Sequence, residues 1–76
     1  MIMFQAVEEK LYHAEIGAYT AFGISALRVY KDAKELIEHV SDVFLKKEDA
    51  EDFVRLCNES ELDMLHFHDV IEDALS

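Results

Sequence analysis

His66, His68, Asp69, Glu72 and Asp73 place two imidazoles and three carboxylates within one short stretch near the end of the chain. These are ligand types for a transition metal, and an imidazole beside a carboxylate is also the equipment of a small enzyme. On a helix, His68 and Glu72 stand i, i+4 on one face, and His66 and Asp69 stand i, i+3 on the adjacent one. The histidines, two residues apart, then point about 200° away from each other. They converge on one ion only if the helix begins after His66. Zinc takes three or four converging ligands with His or Cys dominant, and the spacing does not say whether His13 or His39 joins them. The expectation is therefore no bound metal and no cofactor. The alternative is a metal-binding or small enzymatic domain using His66, His68, Asp69 and Glu72.

Other nucleophiles read more plainly as structure. Cys57 falls on the apolar stripe of a helix, where a buried inert thiol is the usual case. Ser41-Asp42 suits a strand end feeding a turn. Tyr12, Tyr19, Tyr30 and Phe22 could offer an aromatic platform for bases, but a formal charge of −10 opposes a phosphate backbone. With two glycines, Gly17 and Gly23, the loops hold no phosphate cradle. The chain is expected not to be an enzyme.

The charge is unevenly placed. Residues 48–76 carry ten acids (Glu48, Asp49, Glu51, Asp52, Glu59, Glu61, Asp63, Asp69, Glu72 and Asp73) against Arg55, whereas residues 1–47 hold seven acids and six bases. The acidic part keeps regular apolar spacing, so the acids belong to a folded surface and not to a disordered tail. Such a face serves solubility or steers the protein to a basic partner. Mimicry of nucleic acid on another protein's binding site is a further alternative. Glu48, Glu51, Asp52, Glu59, Asp69, Glu72 and Asp73 are the candidate partner-binding residues.

The elements that position these groups follow from length and pattern. Seventy-six residues with 51% hydrophobic content make one small domain, residues 1–76, with a narrow stability margin. One cysteine permits no intrachain disulfide, and a reducing cytoplasm is the default. No apolar run approaches the ~20 residues of a membrane span, and the net charge opposes anionic lipid. Lys10–Ile16 and Tyr19–Ile24 read as a hairpin with Gly17 at a positive-φ turn position, and residues 2–9 extend its first strand. Gly23 inside the second strand signals a bulge or a close backbone approach. Ala50, Phe53, Val54 and Cys57 mark a helix over 47–58, stopping at Asn58. Phe67, Val70, Ile71, Ala74 and Leu75 mark a second over 64–75, capped by Asp63. Residues 32–46 are ambiguous. Ala33, Leu36, Ile37, Val40, Val43 and Phe44 fit a helical stripe, and Asp32 with Glu35 resembles a capping box. Residues 37–44 also read as a β-branched strand, and pattern alone favours helix narrowly.

The segment Glu15-Ile16-Gly17-Ala18-Tyr19-Thr20-Ala21-Phe22-Gly23-Ile24 resembles the signature of a small uncharacterised family from Gram-positive Firmicutes. Leu56-Cys57-Asn58, Leu62 and His66-Phe67-His68-Asp69-Val70-Ile71-Glu72-Asp73 with Leu75 are similar to that family's tail. Phe67 stands where the family pattern has leucine and Met64 where it has proline. The resemblance brings no activity. It implies that Val40-Ser41-Asp42 ends a third strand, which turns the expectation for residues 36–44 from helix to strand, with a helix over 33–46 as the alternative.

The sequence thus leads to an α+β fold, a three-stranded antiparallel sheet followed by two short helices. Its apolar face is expected from Phe22, Ile24, Leu36 or Ile37, and Val40. The expected function is a small acidic protein-interaction module in the cytoplasm with a basic protein partner, not nucleic acid or membrane. A homodimer is also expected, because so small a chain buries little apolar surface and a hairpin leaves an open edge.

Overall fold

A computed structural model describes every residue except Glu61 and Ser76. β1 (Ile2–His13), β2 (Gly17–Val29) and β3 (Lys34–Phe44) precede α1 (Lys47–Glu59) and α2 (Met64–Leu75). The strands form one antiparallel sheet in the order β1-β2-β3.

The hairpin between β1 and β2 closes through Ile16 N–H donating to His13 C=O at 3.2 Å. Gly17 follows with φ +81°, a conformation that costs glycine little. This is the three-residue loop with a left-handed residue at its end. Residues 2–9 extend the first strand as expected and pair fully with β2, but the strand stops at His13 and Ile16 lies in the turn.

Residues 34–44 are strand, not helix. The strand bears out the expectation for residues 36–44, and Asp32, whose spacing to Glu35 suggested the helical alternative, sits in the loop between β2 and β3, where Tyr30 N–H donates to Ala33 C=O at 2.8 Å. The free edge of β2 offers β3 backbone partners over most of its length, and that long-range pairing outweighs the weak local helical signal. The register shifts between Ala26 and Leu27, so that Leu36 faces Leu27. Leu36 is consequently 59% exposed, and Ile37 is half-buried outside the core cluster. Neither supplies the apolar face as expected. Val40, Val43 and Phe44 do so for β3.

Both helices bury their stripes in one core with one face of the sheet. Phe4 of β1 and Phe22, Ile24 and Ala26 of β2 meet Ala50, Phe53 and Cys57 of α1 and Phe67 and Ile71 of α2. Phe4 and Phe67 rings lie 5.2 Å apart and Phe44 and Phe53 rings 5.4 Å apart, both tilted, a favoured aromatic geometry. The α2 stripe leaves the core before the helix ends, with Ala74 and Leu75 exposed. Asp63 caps α2, its Oδ1 accepting from His66 N–H at 3.1 Å. α1 runs one residue past Asn58, which is not a stop. Its side-chain amide instead accepts from Phe4 N–H at 2.9 Å and donates to Phe4 C=O at 3.0 Å.

Candidate functional site

The densest polar constellation lies on the sheet face away from the helices, and no local spacing announces it. Phe22, Ile24 and Ala26 point into the core, so by strand alternation Ala21, Gly23 and Ser25 point the other way. Across them reach Glu9 from β1 and His39 from β3. His39 Nε2 lies 3.0 Å from Glu9 Oε2, and its Nδ1 lies 2.6 Å from Ser25 Oγ. Glu9 also accepts from Ser41 Oγ at 2.8 Å and from Asp42 N–H at 2.9 Å.

Two backbone features make room for this. Phe22 pairs with Phe44 and Ile24 with Val40, so Gly23 alone opposes Ser41, Asp42 and Val43. Asp42 absorbs the excess with φ 57°, a conformation that aspartate tolerates better than most residues. A Cβ on Gly23 would stand 2.7 Å from His39 Cε1 and Nε2 and 2.8 Å from Glu9 Oε1. The glycine therefore marks a close approach, as its position in the strand pattern suggested.

The electrostatics set the proton positions. Burial pushes the Glu9 carboxyl upward, but the hydrogen bonds from Asp42 N–H, His39 and Ser41 outweigh it and leave Glu9 below its ordinary value of 4.5. An ionised carboxylate only accepts, so His39 Nε2 carries a proton toward it. In the neutral ring Nδ1 then accepts from the Ser25 hydroxyl. Tyr19 O–H donates to Asp42 Oδ2 at 2.7 Å, which raises the tyrosine above its usual value.

Serine to histidine to carboxylate is the connectivity of an activated nucleophile. Ser25, however, is 4% exposed in the middle strand, which leaves its hydroxyl little contact with solvent. The group is a clasp that joins the three strands. Ser41 and Asp42, read from sequence as a strand end, join His39 as its β3 members.

The histidines of α2 do not converge. His66 Nδ1 lies 2.9 Å from Asp63 Oδ1 at the helix start, where it lowers that carboxyl below its ordinary value. His68 Nε2 lies 2.6 Å from Glu38 Oε1, tying α2 to β3. Among the described residues no three His, Cys, Asp or Glu side chains are grouped to hold a metal ion. Cys57 is buried in the core, and burial pushes its thiol upward, which disfavours the nucleophilic thiolate. Tyr12 and Tyr19 fall on opposite faces of the sheet by register, and Tyr30 lies in the loop at the far end of the hairpin. The aromatics thus make no shared platform.

The acidic residues are displayed as expected. Glu48, Glu51, Asp52 and Glu59 on α1 and Asp69, Glu72 and Asp73 on α2 are all exposed. Glu61 lies outside the described residues. Arg55 meets Asp52 at 3.4 Å, a surface pair worth little.

An opening with a partly apolar lining lies between β1 and α1. It is a groove of about 550 Å³ lined by Phe4, Ala6, Phe22 and Val54, with Lys47 and Glu51 on its helix wall. No sequence spacing joins these residues, because they come from three elements.

No protein-family model, curated protein or solved structure matches this chain.

Proposed function

We propose that the protein is a small binding module, without catalysis of its own, that engages a protein with a basic surface through the carboxylates of α1 and α2. The observation that carries this reading is the charge on the two helices. Glu48, Glu51, Asp52, Glu59, Asp69, Glu72 and Asp73 are exposed together, and the helices set only Lys47 and Arg55 against them. Glu48 with Asp52 and Asp69 with Asp73 are like charges at i, i+4, which weakens an isolated helix. A basic partner relieves that repulsion and is drawn in fast by the field. The buried, unactivated Cys57 and the lack of a membrane-spanning helix among the described residues accord with work in the cytoplasm.

The test is recovery of partner from cell extract by wild type and by a Glu51→Gln, Asp52→Asn, Glu72→Gln, Asp73→Asn variant, at low and high salt. Wild type should recover a basic protein at low salt, lose it at high salt, and outperform the variant. Equal recovery by both proteins would leave the acidic face no role beyond solubility.

We propose also that two copies pack through the open sheet face. Met3, Val7 and Leu11 of β1, Leu27 of β2 and Leu36 of β3 lie on that face by register, away from the helices. These apolar side chains suit face-to-face packing about a two-fold axis. The acidic helices then point outward from both copies. Light scattering at micromolar concentration should give twice the 8.8 kDa chain mass, and the monomer mass would refute it.

A further inference from the structure

β1 pairs with β2 without a break from Ile2 to His13. Its peptide groups therefore point alternately toward β2 and toward its free edge. Phe4 sets the phase, because its N–H and C=O face outward to the Asn58 amide. Two and four residues on, Ala6 and Glu8 present the same pair of groups on the same edge. Among the described residues no strand, turn or side chain pairs with them. Lys47, Glu51, Val54, Arg55 and Asn58 form one stripe of α1 at helical spacing. Asn58 reaches the edge itself, and the others wall the groove beside Ala6 and Glu8.

We infer that this groove docks an extended peptide segment of a partner protein. The segment adds to the free edge of β1 at Ala6 and Glu8, seats an apolar side chain between Phe22 and Val54, and carries a lysine or arginine beside it. Asn58 says what kind of occupant the edge takes. Its amide offers one C=O and one N–H, as a peptide unit does, and it makes with Phe4 the two bonds of a strand partner. Strand addition supplies affinity through the main chain and specificity through pockets for alternate side chains. A volume of about 550 Å³ suits one or two such side chains. Glu8 on the strand wall and Glu51 on the helix wall receive the cation. Lys47 and Arg55, on either side of Glu51 along the stripe, disfavour a uniformly basic strand. The inference deepens the binding-module reading and rests on it, but the groove does not use Glu72 or Asp73.

The experiment titrates nitrogen-15-labelled protein with a capped hexapeptide of alternating leucine and threonine bearing one central lysine. A second peptide is identical except for N-methyl groups on the amides that would face β1. The first should shift the amide signals of Ala6, Glu8 and Val54, and N-methylation should weaken it by about tenfold or more, since strand pairing carries the affinity. Ala6→Pro, which removes an outward N–H at an edge where proline is tolerated, should weaken the unmethylated peptide similarly. Glu72→Gln/Asp73→Asn should leave its affinity within about twofold, because surface charges off the groove add little. If that double variant abolishes partner recovery from extract while the peptide still binds, the helical face and the groove are separate sites and the groove stands. Equal binding of both peptides, shifts confined to α2, or no shift at millimolar peptide would overturn the inference while leaving the acidic-face reading intact. Shifts at Ala6 and Glu8 that track protein concentration without peptide would overturn it in favour of a second copy on the edge.

Discussion

On β2, Phe22, Ile24 and Ala26 point to the helices and Ala21, Gly23 and Ser25 point away, yet all six are buried. On the helix side burial comes from volume, with rings and aliphatic groups from α1 and α2 filling the space above the sheet. On the open side no element among the described residues covers the strand. There the residues are small enough to be shaded by two long side chains of the neighbouring strands, Glu9 at 15% and His39 at 28% exposure. Apolar packing is non-directional and accepts any shape of similar volume. The clasp is directional, and each member is placed by its hydrogen bonds. One sheet thus holds its helix face by filling and its open face by geometry.

The sharpest way to break the helix face is Phe67→Ala. Phe67 is fully buried against Phe4, and its loss should cost about 3–5 kcal/mol, enough to unfold much of so small a domain at room temperature. Phe67→Leu, near in volume, should cost less than about 1.5 kcal/mol. Urea denaturation followed by circular dichroism reads both. Similar losses for the two substitutions would mean that this face, too, depends on shape.

Gly23→Ala makes the converse test on the open face. One methyl group, harmless on most strands, should cost about 1–3 kcal/mol there because it meets the His39 ring and the Glu9 carboxylate. Combined with His39→Ala, the methyl should become nearly neutral, a coupling read from a double-mutant cycle. Additive effects would show that the close approach constrains nothing.

Glu9→Gln is the subtlest change. It keeps the size and one carbonyl acceptor but removes the charge that gathers Asp42 N–H, His39 and Ser41, at a cost of about 1.5 kcal/mol. The effect has a pH signature. Folding holds the Glu9 carboxyl below its ordinary 4.5, so its stabilisation is complete above that value and is lost as pH falls through the lowered folded value. The urea midpoints of wild type and Glu9→Gln should therefore differ most at neutral pH and converge on acidification. A gap that stays constant below pH 4.5 would mean that the Glu9 charge is not the source.

Several features of this arrangement are legible in the order of residues along the chain. The spacing of Ala50, Phe53 and Cys57 and of Phe67 and Ile71 marks both helices, because a helical stripe is a local record of which side will be buried. Gly17 marks the hairpin and Gly23 the close approach, since each meets a need that few residues can. The carboxylates of Glu48, Glu51, Asp52, Glu59, Asp69, Glu72 and Asp73 belong to exposed helix faces, as the charge pattern suggests. The clasp is not legible in this way. Glu9, Ser25 and His39 are separated by about one strand and turn each, and their meeting depends on registers that no single segment encodes.

Amino-acid order by itself determined the α+β class, the two amphipathic helices and their acidic outer faces, because these follow from local periodicity and charge. Tertiary structure alone decided that Leu36 faces solvent, that Asn58 binds the β1 edge, and that a serine, a histidine and a glutamate meet on the open face. Each of these turns on which residues stand opposite one another across strands. That pairing is settled by the whole sheet at once, when the free edge of β2, the bulge at Asp42 and the turn at Gly17 are satisfied together.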